Sequence, residues 1–476
     1  MAVRTMKSQL HILMATMLTM QTLPVVAGLK AGAARANINP PNGTPLAGYY
    51  AERLSQGVAD DLFAKALVLD DGVTRVAFVT CDLIGIPRHV VVEARELIQK
   101  QTGIPGAHVM IAATHTHTGP VLEQKQRADQ LRGGTHPLCR EYTAALPARI
   151  AKAVADANAQ RAPAHLSFGR AEEHQLAFNR RFWMKDGTVG WNPGKLNPDI
   201  VRPAGPIDPE VSVVYVESAD KKPLATFVNF AMHADTTGGA FVSADFPGAL
   251  ARCLAAVKGP DMVTLFGNGP CGNINHINVA SAVPQTSVNE ANRLGTILAA
   301  AVCKAYMELQ PITNTTLRAR SEIVRLPLAP ITDEDVRAAK ASESEKLPFD
   351  GTKSSATRTA AANMKFLDRV RMYKVLDVHA RQGEPLEAEV QVIALGDALA
   401  WVALPGEIFV ELGLAIKASS PFRQTQVVEL ANGSLGYIPN RSAYAEGNYE
   451  PVSARCAAGS GEQLVEAATK LLTELH

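Results

Sequence analysis

The sequence predicts an α/β protein with a large mixed β-sheet core flanked by helices, folded as a single catalytic domain. Short apolar segments of strand length alternate with longer helical segments through the first three hundred residues, a pattern typical of α/β folds. Several of these strands stop at glycine-rich polar turns. With 476 residues, of which 47% are hydrophobic, the chain can bury a core of that size. We therefore place one domain at 28–476.

The individual elements follow from hydrophobic periodicity and from turn residues. The predicted strands are 64–69, 75–81, 108–113, 211–216, 224–230, 262–266, 388–395 and 398–404. The predicted helices are 89–100, 140–157, 249–257 and 287–307. The polar, Ala-rich region 332–375 differs from the rest, and we predict two helices there, separated by 348–355, as a surface excursion from the domain.

The first 27 residues have the pattern of a secretory signal peptide. Arg4 and Lys7 supply positive charge, an apolar stretch follows, and small residues precede Gly28. The apolar stretch is too short to span a bilayer comfortably. We therefore expect cleavage after residue 27 and a secreted or periplasmic protein.

Composition excludes several classes of function. The formal net charge is +1, and it becomes −1 when Arg4 and Lys7 are removed with the signal, so there is no basic surplus to bind nucleic acid. No later segment is long and apolar enough for a transmembrane helix. The six cysteines are spread out without a C-x-x-C pair, which argues against a thiolate zinc site. The sequence does not define the oligomeric state.

His115 and His117 are the most informative residues. They lie in the run Thr114-His115-Thr116-His117, directly after the predicted strand 108–113. Side chains two apart in a strand point to the same side, so both imidazoles should meet at the carboxyl end of the strand, where α/β proteins place ligands. Two neutral imidazoles suit a divalent metal ion, above all zinc.

Three further segments bring polar groups to strand ends. His233 ends the predicted strand 224–230 where it continues through Ala231 and Met232. Glu407 follows the Pro405-Gly406 turn after the strand 398–404. The stretch 436–450 contains three tyrosines. Two histidines, a carboxylate and a further oxygen donor are an ordinary ligand set for catalytic zinc, and a second histidine beside a ligand can move a proton.

On these residues the chain resembles the neutral, non-lysosomal ceramidases, which are zinc amidases that cleave the N-acyl bond of ceramide. The T-H-T-H-[ST]-G-P signature of that family is present at 114–120, and 37–41 with 48–50 resembles the family's start. The resemblance covers the chain from about residue 31 to its C-terminus. It implies the α/β catalytic domain of that family and one Zn²⁺ per chain.

The resemblance also implies roles for particular residues. The zinc ligands would be His115, His233, Glu407 and Tyr444, with Tyr449 as the alternative tyrosine. The histidine beside the metal, His117, would transfer protons. Asn179-Arg180 matches an asparagine-arginine pair of the family, and Arg180 would hold the substrate or the developing negative charge on its oxygen together with Asn275.

Two departures from the family bear on the substrate. The family's G-D-x-S-P-N segment corresponds to 272–276, where Asn275 stands in the position of the active-site serine. An amide can still donate a hydrogen bond there. Ceramidases also carry a further β-rich C-terminal domain, which we expect to be absent. The sequence therefore predicts a zinc hydrolase for a ceramide-like lipid or a related acyl amide. Hydrolysis of another amide or an ester, or a non-catalytic binding protein, are the alternatives.

Overall fold

The computed structural model of the chain describes residues 28–124, 126–344 and 360–476. The predicted signal peptide at 1–27 lies outside the described residues, as does the predicted break at 348–355. In the described part of the chain, no helix combines the length and the apolar character needed to cross a membrane.

The strands, numbered in chain order, are β1 Lys30–Asn37, β2 Phe63–Asp70, β3 Arg75–Cys81, β4 Val109–Ala113, β5 Ala162–Glu172, β6 Phe178–Asn179, β7 Arg181–Met184, β8 Val189–Trp191, β9 Ile200–Pro203, β10 Glu210–Ser218, β11 Pro223–Phe230, β12 Val263–Asn268, β13 Ile274–Asn275, β14 Gln310–Pro311, β15 Leu317–Leu326, β16 Leu386–Leu395, β17 Leu399–Ala403, β18 Glu407–Ile408, β19 Gln424–Val428 and β20 Tyr437–Ile438.

The helices are α1 Arg88–Thr102, α2 Arg127–Asp129, α3 Pro137–Ala159, α4 Asp245–Lys258, α5 Val288–Ala305, α6 Asp333–Ser344, α7 Ala360–Ala380, α8 Val410–Ser419, α9 Arg441–Glu446, α10 Tyr449–Ser453 and α11 Ser460–Leu475. Proline is tolerated at the first helical position of α3, because Pro137 lacks only an N–H that would have no partner there. Ser287 caps α5 by accepting a hydrogen bond from Glu290 N, which satisfies one of the free N–H groups at the helix start.

Within the described residues the largest sheet has nine strands in the order β12-β11-β10-β5-β1-β2-β3-β4, with β14 also paired to β5. A second sheet has the order β15-β16-β17-β19. Their apolar faces pack on each other, and Phe78 of the first sheet lies 4.5 Å from Trp401 of the second, centroid to centroid. Helices cover the outer faces: α1, α3, α4 and α5 on the first sheet, and α8 and α11 on the second.

Parallel strand pairs determine where the polar segments meet. In the two large sheets most neighbours are antiparallel, but β3 and β4, β11 and β12, and β17 and β19 run parallel. Parallel neighbours end at the same edge of a sheet, so the segments that follow them are brought together. Backbone hydrogen bonds from Ala113 N to Leu430 O and from Glu429 N to Asn268 O join these three edges.

The fold class is confirmed: the architecture is mixed α/β with a large mixed sheet flanked by helices. The sequence analysis missed β1, β5, β15 and β19. The strand β15 is buried only at its two ends and carries charged residues between them, so it lacks a continuous apolar run. The two helices of the region 332–375 are present as α6 and α7.

Candidate metal centre and catalytic site

His115 lies on a turn beyond β4. The strand ends at Ala113, and His115 has a φ of +71°, in the left-handed region that non-glycine residues rarely adopt. Its N–H donates to Leu83 O, and its Nδ1 lies 2.8 Å from Ile84 O. The rings of His115 and His117 lie 4.8 Å apart between centroids. The prediction that they share a strand face is therefore wrong, because a strained turn brings them together.

His233 follows β11 and is held from behind by the segment after β12. Its Nδ1 lies 2.8 Å from Cys271 O and 3.1 Å from Ile274 O. A ring nitrogen that meets carbonyl oxygens carries the proton, so the lone pair of His233 is on Nε2. The same reasoning places the lone pair of His115 on Nε2. Such carbonyl partners fix the tautomer and orientation of metal-binding histidines.

Glu407 meets both histidines. Its Oε2 lies 3.5 Å from His115 Nε2 and 3.3 Å from His233 Nε2. This oxygen is buried and has no hydrogen-bond partner among the described residues. A buried carboxylate oxygen facing two imidazole lone pairs is costly unless a cation lies between them. The donor set of two imidazoles and a carboxylate therefore fits a divalent metal ion such as zinc.

The pKa shifts of His233 and Glu407 agree with this arrangement. Burial would lower the pKa of His115, but the Glu407 carboxylate outweighs it and raises that pKa. Burial lowers the pKa of His233 to about 3, and nearby Arg180 adds to the effect, so the imidazole is neutral. Burial would raise the pKa of Glu407, but His115 and His233 outweigh it and hold the pKa well below its usual value. A neutral imidazole and an ionised carboxylate are the forms that bind a metal.

The structure corrects the predicted tyrosine ligand. The Tyr444 hydroxyl donates to Cys456 O at 2.9 Å, and the ring packs beside the helices of the second sheet, so it does not face the histidines. Tyr449 lies nearer, with its ring 4.2 Å from that of Trp191, but its hydroxyl meets Tyr50. Tyr437 is the tyrosine beside the centre.

Strand pairing places Tyr437 there. The short strands β18 and β20 are parallel, and Tyr437 is the register partner of Glu407. The Tyr437 ring stacks on His233, and its hydroxyl interacts with both Glu407 and Arg180. Burial is the main reason that the pKa of Tyr437 lies well above its usual value. Tyr437, and not Tyr444, is therefore the tyrosine whose hydroxyl contacts the candidate ligand Glu407.

His117 lies on the other side of His115, with the two Nε2 atoms 3.4 Å apart. The ring nitrogens of His115, His117 and His233 all lie within 4.8 Å of one another. Burial, together with the neighbouring histidines, holds the pKa of His117 well below its usual value. His117 is therefore a neutral base next to the ligand group.

A second group of residues holds His117 in place. Asp235 Oδ1 lies 3.5 Å from His117 Nδ1 and accepts a hydrogen bond from the Tyr49 hydroxyl at 2.7 Å. Arg53 donates to His117 O. Gly48 has a φ of +99°, and a Cβ there would lie 2.5 Å from His117 Cβ, so only glycine fits. The sequence analysis missed Asp235 as a partner of His117, although it directly follows His233-Ala234.

Arg180 is buried beside the candidate metal centre. It donates to Glu450 Oε1 at 2.8 Å and to Gly272 O at 2.6 Å, and its Nη1 lies 3.3 Å from His233 Nε2. Asn179, which the sequence analysis paired with it, donates to Pro206 O and lies outside this contact network. Arg180 thus provides a fixed positive charge beside the ligand nitrogen of His233.

Asn275 belongs to the segment that follows β12, and its side-chain amide forms hydrogen bonds with nearby residues. Its Nδ2 donates to Asn192 Oδ1 at 3.0 Å, and its Oδ1 accepts from Ile277 N. Asn192 itself has a φ of +41° and directly follows Trp191. The contacts of Asn275 therefore shape the wall beside Trp191, and the role predicted for it toward the substrate stays a prediction.

Aromatic rings form one wall next to the centre. Trp191 stacks on Tyr449 and Phe366, and Tyr50 stacks on Tyr373 of α7. Tyr449 in turn meets the ring of Tyr437 at 5.3 Å between centroids. This wall gives the site an apolar side, and it includes residues of the helical region 332–375 that we predicted to be a surface excursion.

Exchanging each tyrosine for phenylalanine separates the candidates. We expect Tyr437→Phe to weaken zinc binding and lower turnover, because the hydroxyl beside Glu407 is lost. Tyr444→Phe should leave zinc affinity unchanged and cost about 1 kcal/mol of stability, since it removes one hydrogen bond to Cys456 O. Zinc titration and thermal unfolding of both variants measure this. Weaker zinc binding in Tyr444→Phe alone would restore the original assignment.

The fold and site define an α/β protein with a buried histidine–carboxylate centre fitted for a metal ion. The sequence profile described as "Neutral/alkaline non-lysosomal ceramidase, N-terminal" matches residues 30–286. The chain belongs to the neutral/alkaline non-lysosomal ceramidase family.

Solved structures show the same fold. Neutral ceramidase from Pseudomonas aeruginosa is 20% identical, with a TM-score of 0.71 over 94% of this chain and 75% of that one. A ceramidase complexed with C2 is 18% identical, with a TM-score of 0.71 over 94% of this chain and 76% of that one. No match was found among curated proteins. Family and fold imply a hydrolase that acts on amides.

Proposed function

We propose that this chain is a zinc-dependent amidohydrolase that cleaves N-acyl amides of ceramide-like lipids or related compounds. The observation that carries the proposal is the convergence of His115, His233 and Glu407, in which the buried Glu407 Oε2 faces two imidazole nitrogens within 3.5 Å. Membership of the ceramidase family supports the reaction type.

His115, His233, Glu407 and Tyr437 would hold one zinc ion. When bound, zinc supplies a Lewis acid that polarises a carbonyl and makes water acidic near neutral pH. Two ligands here, Glu407 and Tyr437, can carry negative charge, and Arg180 offsets part of it from beside His233.

The other residues of the site have distinct roles in amide hydrolysis. His117, neutral and next to His115, accepts the proton of the attacking water and returns it to the departing amine. Asp235 lies beside its ring, with Oδ1 3.5 Å from His117 Nδ1, and is itself held by the Tyr49 hydroxyl. Arg180 stabilises negative charge that develops on the carbonyl oxygen.

The aromatic wall supports an apolar acyl group on the substrate. Trp191, Tyr449 and Phe366 offer flat apolar surface within reach of Tyr437, and ring faces of this kind bind hydrocarbon well. Asn275 in place of the family serine favours a second candidate, in which the substrate is a smaller acyl amide or an ester.

Metal analysis combined with a substrate panel tests the proposal. We expect about one zinc per purified chain, and hydrolysis of N-acyl amides that a chelator abolishes and added zinc restores. His115→Ala and His233→Ala should each lose zinc and activity, because each removes a ligand nitrogen. Tight stoichiometric zinc in either variant would remove that residue from the ligand set.

The panel should contain short-chain and long-chain ceramides, other N-acyl amides and esters of the same acyl groups. Hydrolysis of esters but of no amide would favour the second candidate. A chain that binds zinc fully and hydrolyses none of these compounds would contradict an enzymatic role.

We also propose that the protein is exported. The support is the charge and hydropathy pattern of residues 1–27. N-terminal sequencing of the protein recovered from outside the cytoplasm tests this, and the expected first residue is Gly28.

A further inference from the structure

Glu429 lies at the junction of the segments that carry the candidate ligands. It directly follows β19, and its side chain is fully buried. Its Oε2 accepts hydrogen bonds from Ile408 N at 2.7 Å and from Cys271 N at 3.1 Å. Its Oε1 accepts from the Cys271 thiol at 2.9 Å. The roles assigned above do not involve Glu429.

Each of these hydrogen bonds holds a residue that is directly bonded to, or in direct contact with, a candidate ligand. Ile408 directly follows Glu407, so the bond to its N–H fixes the peptide that joins these two residues. Cys271 offers its carbonyl oxygen to His233 Nδ1 at 2.8 Å, so the bonds from its N–H and thiol fix the group that orients the His233 ring. One carboxyl group therefore joins two segments that are far apart in the sequence.

The backbone around Glu429 extends the same junction to the third ligand. Leu430 O accepts from Ala113 N, the last residue of the strand that leads to His115. Leu430 N donates to Gly406 O, directly before Glu407. Leu430 has a φ of +49°, an uncommon value for this residue type, and such strain persists only where the surroundings hold it.

A fully buried carboxyl group is costly unless donors surround it, and Glu429 meets three from two segments. A hydrocarbon side chain would fill the space without joining these segments. We infer that Glu429 is a positioning residue, whose carboxyl group holds Cys271 and Ile408 so that His233 and Glu407 point at one metal ion. This inference rests on the metal centre proposed above.

Zinc affinity of Glu429→Gln tests the inference. Glutamine keeps the shape but loses one acceptor oxygen, so at least one of the bonds to Cys271 or Ile408 weakens. We expect zinc affinity to fall about 10- to 100-fold, the usual effect of removing an outer partner of a metal ligand. The measurement is competition between the purified chain and a chelator for zinc. The visible spectrum of the cobalt-substituted protein should change as well, because the ligand geometry changes.

Two controls separate positioning from general stability. Asp70→Asn changes a carboxylate that also accepts a backbone N–H, from Gly72, and pairs with Arg161. Asp70 ends β2 at the edge of the sheet opposite to the metal centre, so zinc affinity should stay the same even if the protein becomes less stable. Cys271→Ala removes the thiol but keeps the backbone N–H and carbonyl, so its effect should be smaller than that of Glu429→Gln.

Unchanged zinc affinity and an unchanged cobalt spectrum in folded Glu429→Gln would overturn the inference. Glu429→Leu extends the test, since it removes all three bonds and should weaken zinc further if it folds. If Glu429→Leu does not fold, the zinc affinity of Glu429→Gln alone decides whether Glu429 is a positioning residue. A wild-type chain that binds no zinc would instead overturn the metal centre itself, and the inference with it.

Discussion

Glu407→Gln is expected to abolish hydrolysis and to reduce zinc affinity by orders of magnitude while the fold stays intact. Glutamine has the same shape, so packing at the turn after β17 is kept. Its amide offers no negative charge to a cation between His115 and His233, whose nitrogens lie 3.5 and 3.3 Å from the carboxylate. Thermal unfolding with and without zinc measures the stability of the fold and the binding of zinc together. A hydrolysis assay measures the loss of activity.

Zinc should raise the thermal midpoint of the wild-type chain, because a ligand that binds only the folded state stabilises it in proportion to the logarithm of its concentration over Kd. That increase should disappear in Glu407→Gln, whereas the metal-free midpoints of the two proteins stay close. Glu387→Gln is the matched control, since Glu387 is an exposed acid paired with Arg325, and it should bind zinc as the wild type does.

The alternative for Glu407 is a helix-start acid, which would interact with the N-terminus of α8. Such a residue contributes up to about 1 kcal/mol to stability and nothing to metal binding. Loss of stability with full zinc affinity and full activity in the folded fraction would therefore contradict the ligand assignment. In the structure the acidic residue in the first turn of α8 is Glu411.

Local sequence patterns were enough to predict the strands that precede His115, His233 and Glu407, but not β13, β18, β19 and β20. His115, His233 and Glu407 each follow an apolar strand, and polar residues at such ends are visible in the sequence. Their meeting depends on three parallel strand pairs. An α/β fold with a mixed sheet contains parallel strand pairs, but the sequence does not specify which strands are neighbours.

The tyrosine shows where sequence reasoning fails. Tyr437, Tyr444 and Tyr449 lie within thirteen residues, and nothing in their spacing separates them. Pairing of β18 with β20 selects Tyr437, and that contact joins segments thirty residues apart. One signal was available in the sequence: a glycine directly precedes Tyr437. In the structure Gly436 has a φ of +77°, a conformation that glycine adopts readily.

Glu429 and Asp235 were missed for a different reason. Glu429 follows the strand β19, which the sequence analysis did not identify, and a single acid in an apolar run has no motif. Asp235 was visible beside His233, but its contact with His117 crosses between the segments after β4 and β11. Residues that position ligands are recognised from their contacts in the structure, because acidic residues are common throughout the chain.

His117→Ala is expected to keep the zinc and to lower turnover by roughly 10²- to 10⁴-fold, the usual contribution of a general acid–base group. We propose His117 as the base of the site because of its position, and burial with the neighbouring histidines lowers its pKa and keeps the imidazole neutral. Its Nε2 lies 3.4 Å from that of His115, which places it beside the ligand group. The effect should be on kcat, with zinc content and KM little changed.

His108→Ala is the matched control, because His108 precedes β4 at the opposite end of that strand and meets Arg75 O instead of the metal centre. It should keep both zinc and turnover. His117 is also the competitor for a ligand position, since its ring nitrogen lies within 4.8 Å of those of His115 and His233. Metal analysis decides between the two roles: loss of zinc in His117→Ala would make His117 a ligand and leave the proton transfer to another group. Retained zinc with full turnover would remove His117 from the chemistry altogether.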